Sequence, residues 1–332
     1  MLSYIGRRIL QLIPLLLVLS VLIFISIILP PGDYLSIYIN QLKTSGTQPG
    51  ADEIARLTRQ YGLDQSLPER YLLWMWNMVR YGSLGRSFEW NKPVTDLIGE
   101  QIGLTILLSI LSLLVTYALA IPIGIYSATH QYKIGDYTFT FLGFVGLSVP
   151  PFLLALALVY FSFRYLGISV TGLFSPAYVD APWSLAKFID MAKRIWIPVL
   201  IVGLSGTAYT IRVMRACLLD ELRKQYVITA RAKGVDERTL LFKYPVRVAI
   251  NPIVSTVGWL LPALISNTPL VAIVLNIPTT GPMLLRALLD RDMYLAGSFL
   301  LILSVMTVIG TLISDVLLAV LDPRIRYGGI GE

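Results

Sequence analysis

Covalent catalysis, acid–base chemistry and metal binding draw on a short list of side chains, and this sequence is poor in those used most. It holds one cysteine, Cys217, and one histidine, His130. That excludes an internal disulfide and argues against a Cys/His metal site in this chain. An intramembrane enzyme needs a nucleophile paired with a base, and the sequence nominates no partner for either residue. No G-x-x-x-x-G-K-S/T phosphate loop occurs, so the sequence offers no nucleotide-binding loop of that kind. No cofactor is expected in this chain.

What remains is the chemistry of charge in and beside a membrane. From Arg212 to Pro252 the chain reads RVMRACLLDELRKQYVITARAKGVDERTLLFKYPVRVAINP, with nine Lys/Arg against four Asp/Glu between Arg212 and Arg247. A basic helical loop between two apolar runs can grip a soluble partner or lie on anionic headgroups. Within it, Leu218 to Lys233 is rich in strong helix formers. Gly234 interrupts that run, and Asp236 can cap a second short helix through Lys243, before Pro245. The product is a helix–glycine–helix elbow formed by Thr229, Ala230, Arg231, Ala232, Lys233, Gly234, Val235, Asp236 and Arg238. Ala230 and Ala232 are small enough to let a partner surface approach, while Arg231, Lys233 and Arg238 offer it charge. Asp315 is a different case. It lies about two turns inside the last apolar run, where a carboxylate is a functional candidate by default; a hydrogen bond to a neighbouring helix is the competing role.

The elements that must position these residues are membrane spans. Of 332 residues, 55% are hydrophobic and 14% charged, against about 25% charged in a typical soluble chain. The mean hydropathy is +0.70. The net charge of +7 sits in one inter-helix segment and at helix ends, which orients a membrane protein and does not point to nucleic acid. Arg7 and Arg8 precede a charge-free stretch from Ile9 to Pro31, long enough for one crossing and read as a retained anchor with a cytoplasmic amino terminus. Residues 32–99 carry seven basic and seven acidic residues and are expected to form an external subdomain. In it Asp52 is a candidate cap for one helix. A second, PERYLLWMWNMV, sets Tyr71, Trp74, Met75 and Met78 on one face for packing.

Residues 100–332 then supply five further spans. The uncharged run Gln101–Thr129 exceeds one crossing, and the turn HQYKIGD follows it. Tyr137–Phe163 is broken at Ser148-Val149-Pro150-Pro151. Irregular backbone at membrane depth is tolerated where protein or a water-filled cavity surrounds it, so Ser148, Pro150 and Pro151, with Asn267, are candidates for lining a translocation path; a plain helix bend is the alternative. Arg164–Arg194 reads as a second external segment and Ile195–Ile211 as a short fourth span. The fifth is expected over Ile253–Leu275, with Asn276–Met283 as an external turn. The last runs from Ala296 to Val320, placing Arg324 and Arg326 in the cytoplasm. The fold class is therefore an all-α polytopic membrane protein with six transmembrane helices, both termini cytoplasmic and an external subdomain after the first helix.

Several segments, in order, resemble the membrane-permease subunits of bacterial and archaeal ABC importers for dipeptides and oligopeptides, a group that also includes permeases for nickel chelates and oligosaccharides. They are RRILQLIP, the LPPGD ending at Asp33, YGLDQSLPERY with GSLGRSF after it, KPVTDLIGEQIGLTILLS, and YVITARAKGVDERTLLFKYPVRVAINP. The resemblance implies a type I permease fold in the cytoplasmic membrane. It implies a second, homologous but non-identical permease subunit, two cytoplasmic ATP-binding subunits that hold ATP and its Mg2+, and an extracytoplasmic solute-binding protein. It also implies that Ala230 and Gly234 belong to an elbow docked in a cleft of the ATPase, and that transport is inward. Two departures fall on or near the external side. Ala272 stands where relatives often carry glutamate, before IPTTG with Ile277 and Thr279 in place of Trp and Gly, and Ser83 replaces an aspartate. Peptides are the expected cargo, with oligosaccharides as the alternative. A secondary transporter or channel would need repeated broken helices or a carboxylate cluster, and finds only the break at Pro151 and Asp315.

Overall fold

The computed structural model describes residues 2–29, 34–44, 50–60, 62, 64–179 and 181–321. Among them the chain is helical, with one isolated antiparallel bridge, Arg86 to Pro93. The LPPGD residues Pro30–Asp33 and the terminal Arg324 and Arg326 lie outside the described residues.

Helix α1 (Leu2–Ile28) is followed by three shorter helices, α2 (Tyr34–Thr44), α3 (Ala51–Gln60) and α4 (Leu67–Tyr81). Ser66 and Glu69 form a capping box that starts α4, and Gly82 ends it at φ 63°. Helix α5 (Val94–Thr129) runs 36 residues. Helices α6 (Ile134–Ser148) and α7 (Pro151–Phe161) follow, the latter widening into a π-helical turn over Ser162–Leu166. Helix α8 (Leu185–Leu222) spans 38 residues. Two short helices, α9 (Gln225–Ala232) and α10 (Glu237–Lys243), precede α11 (Pro245–Ser255), α12 (Val257–Leu275), α13 (Thr280–Leu289) and α14 (Met293–Leu321). Five helices are long and apolar enough to cross a membrane, and a sixth span results if α6 and α7, bent by 96°, count as one.

Four sequence expectations need correction. The short fourth span is the middle of α8, because Ser184 Oγ caps a helix that already begins at Leu185 and that continues through Pro198 to Leu222. The basic helical loop expected over Arg212–Pro252 is thus not a separate segment at its ends, which belong to the long helix α8, to Leu222, and to α11, from Pro245. The expected turn Asn276–Met283 is half helix: Asn276 is left-handed at φ 50°, but Gly281 and Pro282 lie in the first turn of α13. There a missing backbone donor costs nothing, since the first N–H groups have no intrahelical acceptor. Finally, α3 begins at Ala51, so Asp52 is inside the helix and does not cap it.

The chain divides into two compact units. One takes the described residues within Met1–Ile9, Thr105–Ile277 and Met306–Glu332. Lipid tails are as apolar as leucine, so helices in such a unit are held by close packing and internal hydrogen bonds. Here small residues allow it. A Cβ on Gly124 would overlap Met214, one on Gly203 would lie 2.9 Å from the Ser112 carbonyl, and one on Gly143 would lie 3.3 Å from Ala208 Cβ. Thr116 Oγ1 donates to the Gly203 carbonyl at 2.7 Å, and Met214, Leu218, Val246, Ala249 and Ile253 bury one another beneath the elbow.

The other unit takes Leu10–Leu104 and Pro278–Val305. Its cluster joins Phe24, Tyr34, Trp74, Phe88, Met293 and Leu301, with Tyr71, Met75 and Met78 packed against it. The aromatic face of α4 is therefore a packing face.

Candidate functional site: an elbow and a broken span

The elbow begins where α8 ends. Arg223 is still helical, but Lys224 is extended (φ −73°, ψ 148°), so the single helix expected over Leu218–Lys233 is two helices with a joint. Glu221 fastens that joint. Its carboxylate accepts from Lys224 Nζ at 2.6 Å and from the Tyr226 hydroxyl at 2.5 Å. Burial and the Glu221 carboxylate push the Tyr226 phenol up to about 12, so it stays a donor at any physiological pH.

Helix α9 leads to Gly234, at φ 77°, a left-handed conformation that glycine adopts without Cβ strain. Asp236 then caps α10, its side chain accepting from the Thr239 amide at 3.2 Å. The two helices close on a small core of their own, Val227, Ala230 and Leu240, with Val235 and Tyr244 against it. Ala230 is thus buried within the elbow, where its small size serves internal packing. Arg231 is also committed: its guanidinium pairs with Glu237 at 2.5 and 3.1 Å, which holds the Glu237 carboxyl below its usual range and the guanidinium above. Thr229, Ala232, Lys233, Asp236 and Arg238 are exposed, and these form the outward face.

Behind the elbow, α8 runs antiparallel to α6. Arg215 makes a two-pronged bond to Asp136, Nε to Oδ1 at 2.9 Å and Nη2 to Oδ2 at 2.8 Å. Asp136 also accepts from the Tyr132 amide at 3.0 Å and is 3% exposed. Helix α6 ends at Ser148, whose hydroxyl donates to the Phe144 carbonyl at 2.8 Å. Val149 (φ −97°, ψ 116°) and Pro150 (φ −56°, ψ 139°) are extended, and Pro151 opens α7. Each proline disfavours helix at the residue before it, so the kink expected from sequence is a full break. Asn267 is half-buried in α12, which packs against α7; no hydrogen bond joins it to Ser148 among the described residues. Asp315 pairs with Arg8 at 3.3 Å, a bond between the first and last helices that occupies the carboxylate.

Sequence reasoning passed over two polar centres. Asp292, 0% exposed, accepts through Oδ2 from Ser87 Oγ and the Phe88 and Glu89 amides, and through Oδ1 from Leu295 N. Burial raises its carboxyl above the usual range while these donors pull it down. Lys187, 6% exposed, donates to the carbonyls of Val179 and Ala181 and lies 4.8 and 5.4 Å from the rings of Phe174 and Trp183. Cavities of about 580 and 270 Å³ open beside Ser162 and Asp190 and beside Trp74 and Asn77; neither is lined by the elbow or the break. Among the described residues no group of three His, Cys, Asp or Glu could hold a metal ion.

The sequence matches two family models. Residues 120–327 match the binding-protein-dependent transport system inner membrane component, and residues 1–109 match the N-terminal part of such membrane components. A Brucella ovis protein provisionally named a peptide permease is 34% identical over 98% of this chain and 99% of its own length. The oligopeptide transport system permease protein AppB of Bacillus subtilis is 30% identical over 98% of this chain and 100% of its own.

Proposed function

The chain belongs to the family of binding-protein-dependent transport system inner membrane components, and from that premise we propose that it is the permease subunit of an ATP-driven peptide importer. It is a membrane subunit, and ATP is hydrolysed on partner chains. Its relatives' names supply the cargo class. In this reading it makes six crossings in a type I arrangement with both termini cytoplasmic, residues 1–31 forming the first span and 32–99 an external subdomain. Residues 100–332 form a five-helix core that carries the coupling segment 212–252. A second, homologous permease completes the passage, two ATP-binding subunits sit beneath, and a solute-binding protein delivers the peptide.

The observation that carries the proposal is the elbow. It is a self-packed pair of helices with a fixed left-handed glycine, mounted through the Glu221 joint on the longest helix of the chain. Such a part moves as a rigid piece. ATP binding closes the two ATPase subunits and draws the elbows together, α8 carries the displacement, and the passage lined by the broken span opens outward; hydrolysis resets it. The face toward the ATPase is Thr229, Ala232, Lys233 and Arg238, with Ala230, Gly234, Val235 and the Arg231–Glu237 pair setting its shape.

The test is a Cys217→Ser, Ala232→Cys variant treated with a short bifunctional thiol reagent in native membranes. Cross-linking of this chain to an ATP-binding subunit is the expected result. An assembled complex that transports without any ATPase, or an elbow that cross-links to nothing, overturns the proposal. Ligand screening of the co-purified binding protein separates peptides from oligosaccharides.

A further inference from the structure

We infer that Asp136 and Arg215 are positioning residues that hold the broken span in register with the elbow-bearing helix, and that this pair ties ATP hydrolysis to transport. The inference rests on the function proposed above and concerns a part of the chain distant from the docking face. Arg215 lies seven residues before the end of α8 at Leu222, about 10 Å along a helix rising 1.5 Å per residue. A displacement entering at the Glu221 joint therefore reaches Arg215 within two turns. Asp136 lies in the first turn of α6, whose far end is the break at Val149–Pro150.

The rest of the α6–α8 seam is smooth. Gly143 faces Ala208, and the Arg212 guanidinium lies 5.5 Å from the Phe144 ring. The Gly143–Ala208 contact holds the helices close and resists sliding weakly, and a cation beside a ring face adds attraction without the fixed fork of an ion pair. A two-pronged guanidinium–carboxylate bond fixes both distance and orientation, and among the described residues it is the ion pair recorded between these helices. Its third donor is the amide of Tyr132, a non-glycine residue held at φ 63°, so the turn before α6 is fastened to the same carboxylate. Buried ion pairs often add less stability than apolar residues of equal volume, and fixing one register is their best-attested use. The pair's place between the joint and the break makes register the property that transmission needs.

The experiment uses the whole complex in proteoliposomes with its binding protein. Wild type must first show ATPase activity stimulated by loaded binding protein; its absence would overturn the functional reading and this inference with it, whereas the variants test the inference alone. Asp136→Asn alone leaves a half-buried guanidinium without its carboxylate, so the decisive variants are the double-neutral D136N/R215Q and the single R215K, which keeps the charge but loses the fork. Both are expected to assemble with their partners and retain basal ATPase activity, while solute moved per ATP falls about tenfold, within the usual range of allosteric couplings. Wild-type ratios in either variant overturn the inference. Loss of assembly in both overturns it as well, because the pair would then be a support for folding alone.

Discussion

Gly234 has room for a side chain and the wrong backbone for one. No atom lies within 4 Å of where its Cβ would stand, yet φ is 77°, a region that costs an L-residue about 1–2 kcal/mol and a β-branched one more. Gly234→Val is therefore expected to leave the chain inserted and to lower transport and stimulated ATPase, with Gly234→Asn milder because asparagine tolerates the left-handed region. Paired transport and ATPase assays in proteoliposomes check the order. Asp292 makes the opposite case, a residue defined by its contacts. Asp292→Ala would strand Ser87 Oγ and three amides at about 1–3 kcal/mol for each buried group left unpaired. Thermal unfolding of the purified protein should show a loss of at least about 3 kcal/mol, and a change under 1 kcal/mol would disprove the clamp. Gly234 was legible in sequence because a glycine after strong helix formers announces its own backbone. Asp292 was not, since Ser87 and Phe88 stand some two hundred positions away in GSLGRSF, a motif that sequence alone could match but not explain.

The break between α6 and α7 is local chemistry and could be read from two prolines. Its consequence is larger than a kink, because two successive residues, Val149 and Pro150, are extended. Replacing both prolines by alanine restores two backbone donors at the break and lifts the restriction on the preceding residues. The double variant is expected to straighten toward a continuous helix and to lose transport while still assembling. Spin labels on Thr138 and Leu156 would report the change as a longer distance, and an unchanged distance would show that α8 and α12, not the prolines, impose the bend. Other elements were hidden for physical reasons. NIPTTGP holds residues that end helices, but in the first turn of α13 glycine and proline break no ladder. The joint at Arg223–Lys224 contains no breaker at all; it is set by Glu221 gathering Lys224 and Tyr226, which only the folded chain brings within reach.

For the molecule as a whole, the open quantity is whether α6 and α7 form a sixth crossing or a re-entrant pair, and charge decides which to expect. With six crossings, Arg7 and Arg8, the loop at Lys133 and the nine basic residues of Arg212–Arg247 all lie on one side. With a re-entrant pair, α8 would start on the inner face and carry the whole basic elbow outside. Basic residues flanking spans favour the cytoplasm, so six crossings are the arrangement to expect. In a Cys217→Ser background, single cysteines at Ser83 and Ser169 are expected to react with a membrane-impermeant maleimide applied to intact cells. Cysteines at Lys133 and Ala232 are expected to react only after permeabilisation. If Ser169 and Lys133 instead report the same side, with Ala232 labelled from outside, the chain crosses five times. The elbow would then be out of reach of any cytoplasmic ATPase, and its rigid joint would have nothing to transmit.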